Sequence, residues 1–251
     1  MPALDHIVIV VLENHSYGEV VGSPDAPFID SLARSGAVFT RAFAETHPSE
    51  PNYLALFSGS TQGLADDSCP HTFTADNLAR ALLDAGRTFT GYSEGLPAPG
   101  FTGCSSGAYA RKHNPWVNFS NVPGGANQPF TAFPSDYARL STVSFVIPDL
   151  NHDMHDGTIA QADQWLRDRL GGYAAWAPAH RSLLLVTADE DDSSADNQIP
   201  TIIAGAFVRP GRYDERIDHY RLLSTLAAAY DVAAPGAGKA AKPITDIWSG
   251  Q

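Results

Sequence analysis

Apolar and polar positions along the chain repeat with two periods. Residues 6–12, HIVIVVL, are aliphatic, largely β-branched and uncharged. Such a run predicts a central strand buried on both faces. APFIDSLARSG (26–36) predicts a short helix closed by Gly36, and AVFTRAFA (37–44) alternates like a strand. SEPNYLALFSG (49–59) predicts a helix with Ser49 as candidate N-cap and Pro51 in its first turn. TADNLARALLDAG (74–86) places Leu78, Leu82 and Leu83 at helical spacing and stops at Gly86.

TFTGYSE (88–94) predicts a further strand, and a segment rich in Gly, Pro, Ser and Asn follows over about residues 95–141. Loops of that length inside a domain are functional or tied down. Regular patterning resumes with the strand 143–149, the helix 158–172, the strand 182–191, the apolar segment 199–208 and the helix 219–230. The alternation predicts an α/β fold with a mainly parallel central sheet flanked by helices on both faces. No internal repeat or interdomain linker interrupts it, so residues 1–251 read as a single domain.

Composition narrows the function. Hydrophobic residues make up 43% of the 251, enough for a large core. The formal charge of −12, from 28 acidic against 16 basic residues, argues against nucleic acid and against stable association with an anionic membrane. It leaves room for a small phosphorylated substrate, because a metal ion and a few local donors reverse the sign inside a cleft. No apolar run is long enough to span a membrane, and no basic region precedes the first strand. The chain is therefore cytoplasmic, or an exported mature form whose leader has been removed. Cys69 and Cys104 lie in loop sequence. They are two separate thiols or a disulfide of the kind that staples exported proteins, and the second reading favours export.

Candidate chemistry collects at strand ends. The strand 6–12 delivers Glu13 and Asn14. The strand 143–149 delivers Asp149, Asn151, His152, Asp153 and His155, and the strand 182–188 delivers Asp189, Glu190, Asp191 and Asp192. Open α/β sheets bind ligands at the carboxyl ends of their strands, so these clusters are expected to converge. Each acidic pair alone is most often a solvated turn. Crowded carboxylates in one cleft call for a hard divalent ion such as Ca, Mg or Mn. Ser49, at a helix start, is a helix cap or a nucleophile beside an anion-binding N-terminus. Arg111, Lys112 and His113 form a basic cluster that meets an anion or sits in a solvated turn.

The stretches VVLENHSY, THPSEPNYLALFSG, YARKHNPW, PDLNHDMHDG and LLVTADEDD together, in this order, resemble the bacterial phosphoesterase family. That family contains acid phosphatases and phosphocholine-preferring phospholipases C, and it belongs to the alkaline-phosphatase-like superfamily. The resemblance implies one metal held by Glu13, Asn14, Ser49, Asp189 and Glu190. It implies Ser49 as nucleophile, and His113 and His155 at the phosphoryl group or the leaving oxygen. Asp153 lies in the motif of His155 and is grouped with the catalytic residues.

No second set of metal ligands is evident, and no separate C-terminal lipid-binding or β-sandwich domain fits after residue 231. The resemblance thus favours an acid phosphatase working through a phosphoserine, with a protonated histidine that suits mildly acidic pH. A phospholipase C is the alternative, for which Trp116 and Phe119 would supply a choline cage. A non-catalytic binding protein on a phosphatase fold is the alternative of another class.

Overall fold

The computed structural model describes residues 1–249. Residues 250–251 of the expected domain lie outside that range. The main sheet contains β1 (His6–Leu12), β2 (Ala37–Phe39), β4 (Phe89–Ser93), β7 (Asn127–Pro129), β8 (Val143–Ile147), β9 (Ser182–Ala188), β10 (Thr201–Gly205) and β11 (Gly211–Tyr213). Two-residue strands β3 (Ala42–Phe43) and β12 (Ile217–Asp218) pair with each other, as do β5 (Ser105–Ser106) and β6 (Tyr109–Ala110). The helices are α1 (Tyr17–Val20), α2 (Pro27–Ser35), α3 (Ser49–Ser58), α4 (Leu78–Asp84), α5 (Ile159–Trp176) and α6 (His219–Ala229).

The eight-stranded sheet runs β11-β2-β10-β9-β1-β8-β4-β7. Among the described strands of this sheet only β10 is antiparallel to its neighbours, so the expectation of a mainly parallel sheet holds. Strand periodicity sorts the core into two layers. Ile7, Ile9 and Val11 of β1 pack with Tyr53, Leu54, Leu78 and Leu222, from α3, α4 and α6. Val8, Val10 and Leu12 pack with Ile29, Leu32, Trp165 and Leu166, from α2 and α5. Because β1 is covered on both faces, its sequence is apolar without alternation. Among the described residues no helix is long and apolar enough to cross a membrane.

Local tertiary contacts changed several expected boundaries. The strand expected over 37–44 is divided between two sheets, because Thr40 turns away to bind the Tyr213 carbonyl through both its amide (2.8 Å) and its hydroxyl (3.1 Å). The helix expected from 74 begins only at Leu78, where Asn77 caps it by accepting from Arg80 N at 2.9 Å. The helix expected to end at 172 runs on to Trp176.

Helix α3 is buried at every position, which explains its lack of a polar face. Its N-cap is Pro48, and Ser49 is already helical, so the expectation that Ser49 caps it is corrected. The helix ends at Gly59, whose φ of 69° closes the last turn; a β-carbon there would stand 2.3 Å from the Pro235 carbonyl oxygen.

The segment 95–141 is tied down rather than loose. Cys69 and Cys104 are disulfide-bonded, with Cα atoms 5.9 Å apart. The buried Arg111 guanidinium donates to the carbonyls of Thr102, His71 and Val117 and to Asn118 Oδ1. Neither alternative for the basic cluster, an anion contact or a solvated turn, holds for Arg111, which is buried with its donors on the loop. Trp116 is buried with its indole N–H on Asn127 Oδ1 at 2.9 Å, and it fills the space beside Gly91, where a β-carbon would fall 2.1 Å from the ring. Phe119 is equally buried, so neither aromatic is available for a choline cage.

Candidate active site

Register alone brings two acids together. Leu12 of β1 pairs with Ala188 of the parallel β9, and Asp189 N donates to Leu12 O at 2.9 Å. Glu13 and Asp189 thus leave adjacent strands at the same edge of the sheet. Asn14 turns the chain sharply there with a φ of 55°, a conformation asparagine tolerates, and its amide N–H reaches Asp189 Oδ1 at 3.4 Å.

Helix α3 enters this edge from the next layer. Ser49 Oγ stands 3.0 Å from Glu13 Oε2 and 3.1 Å from Glu190 Oε1. A hydroxyl carries one proton, so it can donate to only one of these carboxylates at a time. Among the described residues Asp189 Oδ2 is buried with no hydrogen-bond partner. Glu13 is fully buried, and Asp189 and Glu190 nearly so. Burial, then the nearby Asp189 and Asp153, push the Glu13 carboxyl well above the usual carboxylate range. Burial and Glu190 do the same to Asp189, and burial raises Glu190 against the lowering pull of His47. An all-oxygen donor set, an orphaned buried oxygen and a hydroxyl wedged between two acids fit a hard divalent cation. Ser49 thus meets Glu13 and Glu190, and Asn14 meets Asp189 through its backbone N–H; these five are the residues the resemblance assigned to a metal.

The second wall is the turn after β8 and the segment after β6. Glu13 N donates to Asp153 O at 2.7 Å, which fixes this turn against β1. His113 Nδ1 lies 3.0 Å from Asp153 Oδ2, and its ring stacks on Tyr53 with centroids 5.2 Å apart. Burial drives His113 well below the usual imidazole range and pushes Asp153 up to about 7. His113 Nε2 stands 3.2 Å from Glu13 Oε1, out of line for a hydrogen bond. His155 is more open; its Nδ1 lies 2.8 Å from Asp156 Oδ1 and its Nε2 3.3 Å from Lys112 Nζ. Glu13, His113 and His155 offer ligand atoms within 4.8 Å of one another, a grouping the motifs did not reveal.

Other groups were not singled out from sequence. His47 Nδ1 meets Glu190 Oε2 at 2.5 Å, and its Nε2 meets Asp191 Oδ1 at 3.4 Å. Asp67 accepts from Glu50 N at 2.9 Å and from Lys112 Nζ at 2.8 Å, which ties the first turn of α3 to the rim. Burial works against the Lys112 charge, but the contact with Asp67 outweighs it and the net shift is upward. Tyr53 donates to Glu13 Oε1 at 2.5 Å. The signal for His47 and Tyr53 was their place beside Ser49, two residues before it and four after. Nothing local marked Asp67.

Not every strand-end acid converges. Asp149 and His152 turn the other way and meet Glu94, whose Oε2 accepts from Asp149 N (3.0 Å) and lies 2.9 Å from His152 Nδ1. Glu94 Oε1 accepts from the Trp165 indole at 2.8 Å. Asp191 folds back onto its own loop, accepting from Ser193 N, Ala195 N and Asn197 N. The expectation of one convergent cluster is therefore corrected for Asp149, His152 and Asp191, whose oxygens and ring nitrogens serve the turns themselves.

The sequence profile of the Phosphoesterase family matches residues 23–233. A phosphatidylinositol-3-phosphatase of Mycobacterium tuberculosis is 57% identical over 99% of this chain and 84% of that protein. An acid phosphatase of Aspergillus fumigatus is 29% identical over 98% of this chain, which spans 59% of that protein's length. Among solved structures, a protein in the alkaline phosphatase superfamily from Vibrio parahaemolyticus superposes with a TM-score of 0.67 at 15% identity, over 98% of this chain and 71% of that one. The fold is that of the superfamily.

Proposed function

This chain belongs to the phosphoesterase family, and we propose that it is a metal-dependent acid phosphatase that hydrolyses phosphomonoesters through a phosphoserine intermediate. It is a hydrolase acting on phosphoric ester bonds. The observation that carries the finer reading is Ser49 Oγ between the Glu13 and Glu190 carboxylates. A serine used only to stabilise a helix would point its oxygen at backbone N–H groups. This one faces two buried acids, an arrangement that a cation between them would stabilise.

Glu13, Asn14, Ser49, Asp189 and Glu190 would hold one divalent ion (Ca, Mg, Mn or similar), which when bound supplies positive charge to the serine oxygen and to a phosphoryl oxygen. Ser49 passes its proton to the carboxylate it faces, Glu13 Oε2 or Glu190 Oε1, its Oγ attacks phosphorus and the bond to the leaving oxygen breaks; that proton returns to Oγ when water cleaves the phosphoserine. His155 gives its proton to the leaving oxygen and then takes one from the water that cleaves the phosphoserine. His113, held by Asp153, and Lys112 line the side of the site that receives the phosphoryl oxygens. Residues 1–251 are read as one domain. Export belongs to the same reading, supported by the Cys69–Cys104 bond.

The 57% identity to a phosphatidylinositol-3-phosphatase favours a phosphoinositide monoester as a second candidate substrate beside small soluble monoesters. The test is a substrate panel with and without chelator: an aryl phosphate, an alkyl phosphate, phosphatidylinositol 3-phosphate, a phosphodiester and phosphatidylcholine. Chelator-sensitive turnover of monoesters supports the proposal. Preferential cleavage of phosphatidylcholine would replace it with a phospholipase C, and no turnover of any ester with a bound divalent ion would point to a binding protein.

A further inference from the structure

Tyr53 is one helical turn after Ser49 and projects from the same face of α3. Its side chain is buried, and its hydroxyl donates to Glu13 Oε1 at 2.5 Å. The other oxygen of the same carboxylate, Oε2, accepts from Ser49 Oγ at 3.0 Å. One face of one helix therefore takes hold of both oxygens of the acid that ends β1. The Tyr53 ring lies nearly parallel to His113, at 13°, and His113 Nε2 is 3.2 Å from the oxygen that Tyr53 already holds. Oε1 is thus enclosed by protein groups, whereas Oε2 faces Ser49.

A phenol in an apolar layer is a costly choice if packing alone is required. Phenylalanine would fill the same volume without a hydroxyl to satisfy. Among the described residues the hydroxyl has a single hydrogen-bond partner, Glu13, at short range. A carboxylate with both oxygens free can rotate about its last bond and switch between one-oxygen and two-oxygen binding of a cation. A donor fixed on one oxygen removes that freedom.

We propose that Tyr53 is a positioning residue that commits Glu13 Oε1 to the protein and presents Oε2 alone to the cation beside Ser49. The inference rests on the metal reading above and adds to it the group that sets how Glu13 binds. Tyr53 touches neither substrate nor cation; it acts through Glu13. It also couples Glu13 to His113, since the same ring supports the imidazole plane.

The test uses the full chain stripped of metal by chelator, with Mn²⁺ as the probe and titration calorimetry as the readout. Tyr53→Phe should weaken Mn²⁺ binding by about tenfold or more, the scale of losses when a group supporting a metal ligand is removed. At saturating Mn²⁺, kcat should fall while KM for an aryl phosphate changes little, because the substrate contacts are untouched. In a Glu13→Gln background, adding Tyr53→Phe should cause no further loss of Mn²⁺ affinity. This cycle separates positioning from general packing damage, which would persist whatever residue stands at 13. Tyr53→Phe with wild-type Mn²⁺ affinity, or an additive loss in the double variant, overturns the inference while leaving the metal site in place. Wild-type protein that binds no Mn²⁺ overturns the metal reading itself, and this inference with it; that arm is read before any variant is made.

Discussion

Lys112 Nζ stands 3.3 Å from His155 Nε2. An ammonium group has only donors, so this contact requires a bare lone pair on Nε2. The His155 proton then sits on Nδ1, where Asp156 Oδ1 is 2.8 Å away. A phosphate group drawing Lys112 to its own oxygens would free Nε2 to take and deliver a proton. Lys112→Gln should therefore raise KM for phosphomonoesters by about tenfold, the loss of one charge-assisted hydrogen bond. Steady-state kinetics at low ionic strength check this, and an unchanged KM would remove Lys112 from substrate binding.

Replacing Ser49 tests the nucleophile directly. Ser49→Ala should lower kcat by several orders of magnitude, as nucleophile removal does in hydrolases. Because Pro48 occupies the cap position, the variant should not show the loss of about 1 kcal/mol that follows removal of an N-cap. Urea unfolding beside kinetics distinguishes the two readings: lowered stability with retained turnover would restore the capping role.

His155→Ala discriminates by leaving group. A general acid contributes most when the departing alcohol is a poor one. The variant should lose on the order of 10²-fold on an alkyl phosphate and much less on an aryl phosphate with an acidic phenol. Equal losses in kcat/KM on both would assign the proton to another group.

Chelation should abolish turnover and Mn²⁺ should restore it. At a free Mn²⁺ concentration about 100 times its Kd, the bound form should gain about 2.7 kcal/mol of stability. Calorimetric unfolding with and without Mn²⁺ measures the gain. Full activity after exhaustive chelation would exclude a metal-dependent step.

Glu45 gives a pH test away from the cation site. Burial, then Asp218, push its carboxyl up to about 7, although the His219 and Tyr220 backbone amides pull it down. The folded protein therefore binds this proton more tightly than the unfolded chain does. Stability at this position is highest below the unfolded value near 4.5, falls as pH rises towards 7, and is constant above. Glu45→Gln removes the charge and should flatten the decline in unfolding free energy between pH 5 and 8. An unchanged slope would show that other carboxyls set it.

Sequence carried the layers and the motifs. The uninterrupted apolar run at 6–12 reads as a strand covered on both faces and that at 182–188 as a further strand, and each ends in acids. Parallel strands put those ends on one edge, so Glu13, Asp189 and Glu190 were legible as partners before any geometry was known. Ser49 and His113 were legible through the family resemblance. What local pattern could not decide was direction and depth. Asp149 and Asp153 leave the same turn, but Glu94 just after β4 and Trp165 on α5 draw the first away while Glu13 N holds the second in place. Arg111 and Lys112 are neighbours, but one fills its donors with loop carbonyls and the other reaches Asp67 and His155. Tyr53 reads as one more core aromatic until helix α3 is docked on the sheet. These choices depend on which distant backbone group or carboxylate completes a buried hydrogen bond. Periodicity reports only which face of an element is buried, so such partners are set by packing between layers.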